Sequence, residues 1–527
     1  MEKKNKTIVI GLDGATWDIL QYWIDRETLP NLKKIMKGGV HGTLKSVIPP
    51  VTSPAWKCYS TSKNPGKLGV YWWANFDRKK SRLILPSSHS FKSKDLWDYL
   101  GEEGKKSAVI NMPTTYPPKP IDGVMVSGFG APIQEKNEEA SFTYPRGLKK
   151  EIEEKYGYQT TISNPRGYEK DKLGARVRNL IEQRFHLAKE LLESGEYDFI
   201  NVTIFYINSL QHFFGTDEVV KKAWSKIDEH IGEFLEKDVR IVIISDHGTA
   251  SIKRSIAINN WLLEQGYLSL KRDFGDCIKK IEDEIGNLLG IGEKQIPGKS
   301  TKIKYAPGIL LSYLIPNTLS DNWIGLMGDI PTSMIDLKIN WQKSLAVGLG
   351  QGPIYLNTDK LGDDYKAFRE KMIKDLKNLR DPKTKDLIFD EVFRKKELYK
   401  GDYIEDAPDI ILLPKKGYEI HGGITDRIFH KKRIGWTTGN HPDGILLVYG
   451  PGIRRGVKIN GADILDIAPT ILHMMDVPIP KDMDGRVLTE IFEGKSELAE
   501  KKVQYRVSDE KGRIKNRIHR LKEMRKI

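Results

Sequence analysis

Short segments of the sequence bring together carboxylates, imidazoles and hydroxyls in a pattern that could bind a metal ion and carry out nucleophilic attack. Residues 241–248 form a β-branched apolar run that ends in Asp246 and His247. Residues 7–12 form a similar run that ends in Asp13, followed by a glycine. Because open α/β sheets bind ligands at the carboxyl ends of their strands, these three side chains are candidate metal ligands. Either aspartate taken alone is equally well explained as a loop or helix cap.

A loop bracketed by prolines carries the candidate nucleophile. Thr52 and Ser53 lie between Pro50 and Pro54, at a point where a helix could begin. A threonine hydroxyl is a poor nucleophile at neutral pH, but coordination to a divalent cation lowers its pKa and activates it. Serine and threonine beside proline are more often ordinary turn residues. This segment therefore indicates a nucleophile only in combination with the other segments.

Two further segments add an amide and two imidazoles. Asn208 and His212 are four residues apart, a spacing that places both side chains on one face of a helix. His441 lies in a glycine- and proline-containing loop just before the strand-like run at 445–449. A single histidine in such a loop is more often a surface or packing residue than a ligand.

Taken in order, these segments resemble the alkaline phosphatase superfamily, and within it an uncharacterised microbial branch of the type I phosphodiesterase/nucleotide pyrophosphatase family. The resemblance extends from about Thr7 to Phe492. In addition to the segments above, it rests on Pro54, Pro65 and Gly69 after Thr52, on residues 115–118 and 127–129, and on residues 407–410 and 468–470.

The resemblance implies two divalent metal ions and a phospho-threonine intermediate formed on Thr52. The residues implied for the first ion are Asp13, Thr52, Asp246 and His247. Those implied for the second ion are Asn208, His212 and His441. Mixed imidazole and carboxylate ligands favour zinc, with manganese as the alternative, over magnesium or calcium.

The sequence departs from the family pattern at two places. Asn208 stands where the family has an aspartate, and its amide brings no negative charge to help neutralise a divalent ion. In the loop after the nucleophile, Leu68 stands where a histidine is common and Trp73 where diesterases carry an asparagine. The nearest amide is Asn75, which becomes the candidate substrate-binding residue.

The function implied is hydrolysis of phosphodiester or nucleotide pyrophosphate bonds, with a phosphoester substrate that includes nucleotide-like molecules. Other activities of the superfamily stay open: phosphomonoester hydrolysis, phosphonate hydrolysis or phospho-group transfer. A sulfatase is disfavoured because Trp56 stands where sulfatases need an arginine. A non-catalytic basic binding protein is the remaining alternative, and Asn208 is the only direct argument for it.

Alternating strand and helix signals predict the elements that must position these residues. They favour an α/β fold with a doubly wound, mostly parallel sheet and helices on both faces. We expect an alkaline phosphatase-like catalytic core at 1–264 and 341–495. Lys-rich stretches broken by Pro-Gly pairs predict an inserted cap at 265–340, and residues 496–527 predict a basic helical tail.

Composition fits a large enzyme without membrane spans. The 527 residues can bury a sizeable core, and no apolar run approaches the roughly 18 residues of a membrane helix. Two cysteines and the absence of an export signal predict a cytoplasmic protein.

Half of the net charge of +14 lies in residues 511–527, which carry eight Lys or Arg and one Glu. This tail could contact an anionic surface or a partner, and the sequence does not predict an oligomeric state.

Overall fold

The computed structural model describes residues 6–91, 93–131, 141–162, 165–271, 339–425, 427–431 and 436–507. Its strands are β1 Thr7–Leu12, β2 Val40–Lys45, β3 Asn75–Asp77, β4 Arg82–Ile84, β5 Ser107–Met112, β6 Gly123–Ser127, β7 Thr143–Tyr144, β8 Phe199–Ile204, β9 Arg240–Ile244, β10 Gly248–Ser251, β11 Arg254–Ala257, β12 Ala346–Gly348, β13 Pro353–Leu356, β14 Phe389–Arg394, β15 Ile410–Pro414, β16 Tyr418–His421, β17 Phe429–His430, β18 Thr438–His441, β19 Asp443–Tyr449, β20 Val457–Asp463, β21 Ile479–Pro480 and β22 Tyr505–Arg506. Most of the predicted cap and the tail beyond residue 507 lie outside the described residues.

The helices alternate with these strands over much of the chain. They are α1 Trp17–Asp25, α2 Pro30–Gly38, α3 Thr52–Thr61, α4 Pro65–Leu68, α5 Leu96–Glu102, α6 Leu148–Tyr156, α7 Lys170–Glu193, α8 Tyr206–Phe214, α9 Glu218–Leu235, α10 Ile258–Glu264, α11 Thr358–Leu361, α12 Tyr365–Lys377, α13 Lys395–Leu398, α14 Ile467–Met474 and α15 Glu497–Glu500. No helix among the described residues is long and apolar enough to cross a membrane.

A nine-stranded sheet with the order β20-β2-β19-β9-β1-β8-β5-β6-β7 forms the centre of the molecule. Strands β9, β1, β8, β5 and β6 run parallel to one another. Strand β19 is antiparallel to both of its neighbours, and β7 is an antiparallel edge strand. This mostly parallel sheet confirms the predicted α/β fold.

Both faces of the sheet are buried, as the continuous apolar runs of its central strands require. In β1 the side chains of Ile8 and Ile10 join one hydrophobic cluster, whereas that of Val9 joins another on the opposite face. Helices α1, α2, α7 and α9 contribute to the first cluster, and α3, α5 and α14 contribute to the second. The sheet is therefore covered by helices on both sides.

The strands at 346–414 form a separate sheet with the order β12-β13-β15-β14, in which all pairs are antiparallel. The chain returns to the central sheet only with β19 and β20. An alternating apolar pattern predicts a strand but does not say which sheet the strand joins. We expected the strands at 341–495 to continue the sheet of the catalytic core, and the pattern did not indicate that four of them form a sheet of their own.

Candidate active site

The register of two central strands brings the first carboxylates together. Strands β1 and β9 pair in parallel with Gly11 opposite Ile244. Asp13 and Asp246 each follow two residues later, so both leave the same edge of the sheet as neighbours. Strand ends in an α/β sheet are the usual place for ligand binding, and the fold thus puts these residues where chemistry is expected.

Asp13, Asp246 and His247 form a compact, fully buried group. One ligand atom from each lies within 4.8 Å of the others. The His247 Nε2 atom is 3.3 Å from Asp246 Oδ2 and 3.9 Å from Asp13 Oδ1. His247 Nδ1 is 2.9 Å from the Gly248 carbonyl oxygen, which fixes the proton on Nδ1 and leaves the lone pair on Nε2.

Burial controls the protonation of this group. It raises the pKa of Asp13 well above its usual value, and the nearby Asp246 carboxylate raises it further. Burial also raises the pKa of Asp246 to about 7 and lowers that of His247. Two carboxylates enclosed side by side are costly unless a cation neutralises them.

The donor set fits a divalent metal ion. Asp246 Oδ2 is fully enclosed, yet no described residue donates a well-formed hydrogen bond to it. An enclosed carboxylate oxygen without a donor is available to a cation. Together with Asp13 and the Nε2 lone pair of His247, it provides the mixed oxygen and nitrogen ligands that zinc and manganese accept.

Thr52 faces this group from the first turn of α3. Its Oγ1 atom lies 3.2 Å from His247 Nε2, and the side chain is 1% exposed. The neighbouring Ser53 is also buried, but its hydroxyl finds no hydrogen-bond partner among the described residues. Of the two hydroxyls, only that of Thr52 is placed in contact with the buried group.

Trp56 is a site residue that the sequence did not reveal as such. It lies one turn after Thr52 on α3, and its indole Nε1 donates to Asp13 Oδ2 at 3.0 Å. The ring passes under Gly11, where an added Cβ atom would lie 2.5 Å from it. The i, i+4 spacing of Thr52 and Trp56 was the signal that could have identified this contact.

Asn208 is hydrogen-bonded at both ends of its amide. Its Nδ2 donates to Asp13 Oδ1 at 2.8 Å, and its Oδ1 accepts from Thr249 Oγ1 at 3.3 Å. Gly14 lies against this amide with a φ of 66°, and an added Cβ atom would be 2.2 Å from Asn208 Oδ1. Asn208 therefore acts here as a donor to Asp13. Thr249 is a second contact that the sequence did not suggest.

His212 and His441 both line a cleft next to the nucleophile loop. His212 is on α8, and its Nδ1 is 2.8 Å from the Thr438 carbonyl oxygen, which leaves the lone pair on Nε2. His441 is in β18, where it pairs with Gly248 of β10. Its Nδ1 accepts from the Asp443 backbone N–H at 3.2 Å, so the neutral ring carries its proton on Nε2. Both histidines line the cleft, but among the described residues only Asp13, Asp246 and His247 form a close group of potential metal ligands.

The side-chain amide of Asn75 forms hydrogen bonds within its own loop. Its Nδ2 donates to the Gly69 carbonyl oxygen at 2.5 Å, and its Oδ1 accepts from the Tyr71 N–H at 3.4 Å. Both ends of the amide thus stabilise the turn at 69–75. The structure does not bring Asn75 into contact with Thr52 or with the buried carboxylates.

A family model described as type I phosphodiesterase/nucleotide pyrophosphatase matches residues 7–442. No curated protein sequence matches the chain.

Solved structures resemble the chain in fold. Phosphonoacetate hydrolase from Sinorhizobium meliloti 1021 in complex with phosphonoacetate aligns with a TM-score of 0.54 and 13% identity, covering 90% of this chain and 96% of that chain. Its complex with phosphonoformate aligns with a TM-score of 0.53, at the same identity and coverage. A murine ectonucleotide pyrophosphatase/phosphodiesterase 5 aligns with a TM-score of 0.49 and 13% identity, covering 93% of this chain and 100% of that chain. The two hydrolase structures support the α/β fold described above.

Proposed function

The chain belongs to the type I phosphodiesterase/nucleotide pyrophosphatase family of the alkaline phosphatase superfamily, and we propose that it hydrolyses phosphodiester or nucleotide pyrophosphate bonds with Thr52 as nucleophile. Membership makes it a hydrolase that acts on phosphoric ester or phosphoanhydride bonds. The observation that carries the proposal is the contact of Thr52 Oγ1 with His247 Nε2, at 3.2 Å, beside two buried carboxylates. Thr52 Oγ1 would bond to phosphorus as the bond to the leaving alcohol or phosphate breaks, and water would then cleave the Thr52 ester, releasing the second product and restoring the hydroxyl.

The residues around Thr52 support this role. Thr52 Oγ1 and His247 Nε2 are 3.2 Å apart, a separation at which one cation could bind both atoms. Thr52 begins α3, and the partial positive charge at the start of a helix favours an anionic phosphoryl group there. Trp56 and Asn208 both donate to Asp13, which fixes the orientation of that carboxylate.

We assign the metal ligands by combining this geometry with the family pattern. Asp13, Thr52, Asp246 and His247 would hold one divalent ion, and Asn208, His212 and His441 would contribute to a second, weaker site. His441 would bind through Nε2 once its proton has moved to Nδ1, which breaks the hydrogen bond from the Asp443 N–H. Zinc is the preferred ion and manganese the alternative. When bound, the ions would supply Lewis acidity that lowers the pKa of the Thr52 hydroxyl and polarises the phosphoryl group.

A cytoplasmic location is part of the proposal. Cys58 is a buried free thiol, and Cys277 lies outside the described residues. A chain of this size with two cysteines does not depend on a disulfide framework, which fits a reducing compartment. The proposed substrate is a phosphoester, with nucleotide-like molecules included.

The test is metal analysis of the purified protein together with turnover of a substrate panel. The panel contains nitrophenyl phosphate monoesters and diesters, a nucleoside pyrophosphate and phosphonoacetate. We expect bound metal, loss of activity on chelation and recovery on adding zinc or manganese, with diesters or pyrophosphates turned over fastest. A protein that binds no metal and hydrolyses none of these compounds would favour the non-catalytic alternative, and a preference for phosphonoacetate would reassign the reaction to phosphonate hydrolysis.

A further inference from the structure

The side chains of Thr52, Trp56 and Tyr59 lie on one face of helix α3. They are spaced by four and then three residues, which is the spacing of neighbours along a helix surface. Trp56 and Tyr59 are completely buried and belong to the hydrophobic cluster that contains Val9 of β1. This face of α3 therefore packs on the central sheet, with Thr52 in its first turn.

Gly11 of β1 leaves room on the sheet for the ring of Trp56. A Cβ atom added at Gly11 would lie 2.5 Å from the indole ring, so any side chain there would displace the ring or the helix that carries it. The φ angle of Gly11 is not in the left-handed region, so its backbone conformation does not require glycine. The requirement comes from the close approach of the ring, which sets the distance between α3 and β1.

A chain of buried hydrogen bonds leads from Tyr59 into strand β8. The Tyr59 hydroxyl donates to Asn201 Oδ1 at 2.7 Å, and Asn201 Nδ2 donates to Thr203 Oγ1 at 3.3 Å. The Thr203 hydroxyl in turn donates to Met112 Sδ at 3.6 Å. Asn201 is 1% exposed, and burying an amide is costly unless it is hydrogen-bonded. The position of Tyr59 over β8 is therefore specified by a directional contact.

This contact gives α3 a defined place that apolar packing alone does not give. Hydrophobic contacts are non-directional, and cores held by them alone lose uniqueness of packing before they lose stability. Displacing Tyr59 from Asn201 leaves a buried acceptor without its donor, which opposes any shift of the helix. Thr52 lies two turns before Tyr59 and would move with the helix. A misplacement of about 1 Å at a reacting group can slow a reaction about a hundredfold.

We propose that the hydrogen bond between Tyr59 and Asn201 positions Thr52 for attack on phosphorus. The ring of Trp56 against Gly11 is the second fixed point of the same helix face. These are positioning residues, because they act through the nucleophile. The inference rests on the proposed function and adds to it the contacts that place the attacking hydroxyl. Their removal slows the attack and leaves substrate binding nearly unchanged.

Single-turnover kinetics of Tyr59→Phe test this role. With enzyme in excess over a nitrophenyl diester, the saturating rate of nitrophenol release measures the attack. The enzyme concentration that gives half of this rate measures binding. We expect the saturating rate to fall about tenfold and the half-saturating concentration to change less than about twofold. An unchanged saturating rate would overturn the proposal.

A double variant separates positioning from stability. Tyr59→Phe leaves Asn201 Oδ1 buried without its donor, which also destabilises the fold. Tyr59→Phe combined with Asn201→Leu replaces both partners by apolar groups, so the urea midpoint should largely recover while the saturating rate stays low. Recovery of the rate together with the midpoint would show that stability alone explains the loss.

Cys58→Ala is the matched control on the same helix. Cys58 is a buried free thiol, and its spacing from Thr52 places it outside the face formed with Trp56 and Tyr59. This variant should lower the urea midpoint without changing the saturating rate. A loss of rate as large as that of Tyr59→Phe would contradict the proposal.

Hydrogen exchange tests the contact without turnover. If the wild-type protein hydrolyses no ester, the proposed function fails, but the place of α3 on the sheet can still be measured. The backbone amides of residues 55–59 should exchange faster in the double variant than in Cys58→Ala, because the double variant loses the contact that holds the helix. Equal exchange in the two proteins would overturn the positioning role.

Discussion

Asn208 lies between the group of Asp13, Asp246 and His247 and the proposed second metal site. It contacts its neighbours through hydrogen bonds and carries no charge. It donates to Asp13 and accepts from Thr249, while His212 lies one turn further along α8. An aspartate at this position would place another carboxylate next to Asp13 and Asp246. The asparagine avoids that repulsion, and it also removes a negative charge from the proposed second metal site.

Restoring the carboxylate is therefore expected to strengthen that site. In Asn208→Asp, the free zinc needed for half-maximal activity should fall by at least about tenfold, with little change at the first site. Equilibrium dialysis with metal analysis measures the change directly, as additional metal retained per chain.

Gln211→Glu is the matched control for this substitution. It adds a carboxylate on the same helix, but Gln211 contacts Gly14 and Trp224 and does not touch Asp13. Equal tightening by both variants would mean that added charge alone explains the result. Unchanged metal retention in Asn208→Asp would exclude Asn208 as a ligand position.

At the scale of elements, helix α3 begins with Thr52, the proposed nucleophile, and a buried ion pair connects this helix to its surroundings. Lys57 Nζ lies 2.7 Å from both carboxylate oxygens of Asp95, and Ser60 Oγ donates to the same carboxylate at 2.6 Å. Asp95 in turn caps the start of α5. This network connects the helix that presents Thr52 to a neighbouring helix on the same face of the sheet.

Removing one partner of this pair should destabilise the protein strongly. Lys57→Met leaves Asp95 buried without its cation, which typically costs about 3–5 kcal/mol. We expect a clearly lower urea midpoint, with partial recovery when Asp95→Asn is added. The exposed pair of Lys33 and Glu27 is the control, and Lys33→Met should cost less than about 1 kcal/mol. Similar losses in both lysine variants would argue against the anchoring role of Lys57.

Several elements could be predicted because their signals are local. The apolar runs before Asp13 and His247 became β1 and β9, and the proline-bracketed loop became the start of α3. Asn208 and His212 fell on a helix, as their spacing requires. The register that places Gly11 opposite Ile244, the indole bond of Trp56 and the contact of Thr249 depend on tertiary packing, which no local pattern encodes. The hydrogen bonds of Asn75 within the turn at 69–75 also depend on the folded loop, so the sequence did not indicate them, and its role in substrate binding stays a prediction.

At the scale of the whole molecule, half of the net positive charge belongs to one short stretch of the sequence, after all the proposed site residues. Residues 511–527 contribute eight cations and one anion to a net charge of +14, and they lie outside the described residues. Every proposed catalytic or metal-binding residue lies at or before His441. The chemistry and the basic tail are therefore expected to be separable.

Deleting the chain from Lys511 onwards tests that separation. The truncated protein should hydrolyse a small diester at close to the full-length rate. Any binding to anionic vesicles should be lost, and in the full-length protein it should weaken as salt rises, since exposed charges are screened over about 10 Å at 0.1 M salt. A truncated protein that folds but no longer turns over the small diester would instead place the tail near the cleft.

The central claim is that Thr52 attacks the phosphoryl group, and rapid quenching followed by peptide mass spectrometry tests it most directly. Wild-type protein mixed with a nitrophenyl diester and quenched in acid should carry the substrate's phosphoryl moiety on the peptide that contains Thr52. Fragmentation should assign it to that residue. Thr52→Ala should show neither the modification nor turnover, whereas Ser53→Ala should show both. Modification of Ser53, or full turnover by Thr52→Ala, would contradict the account.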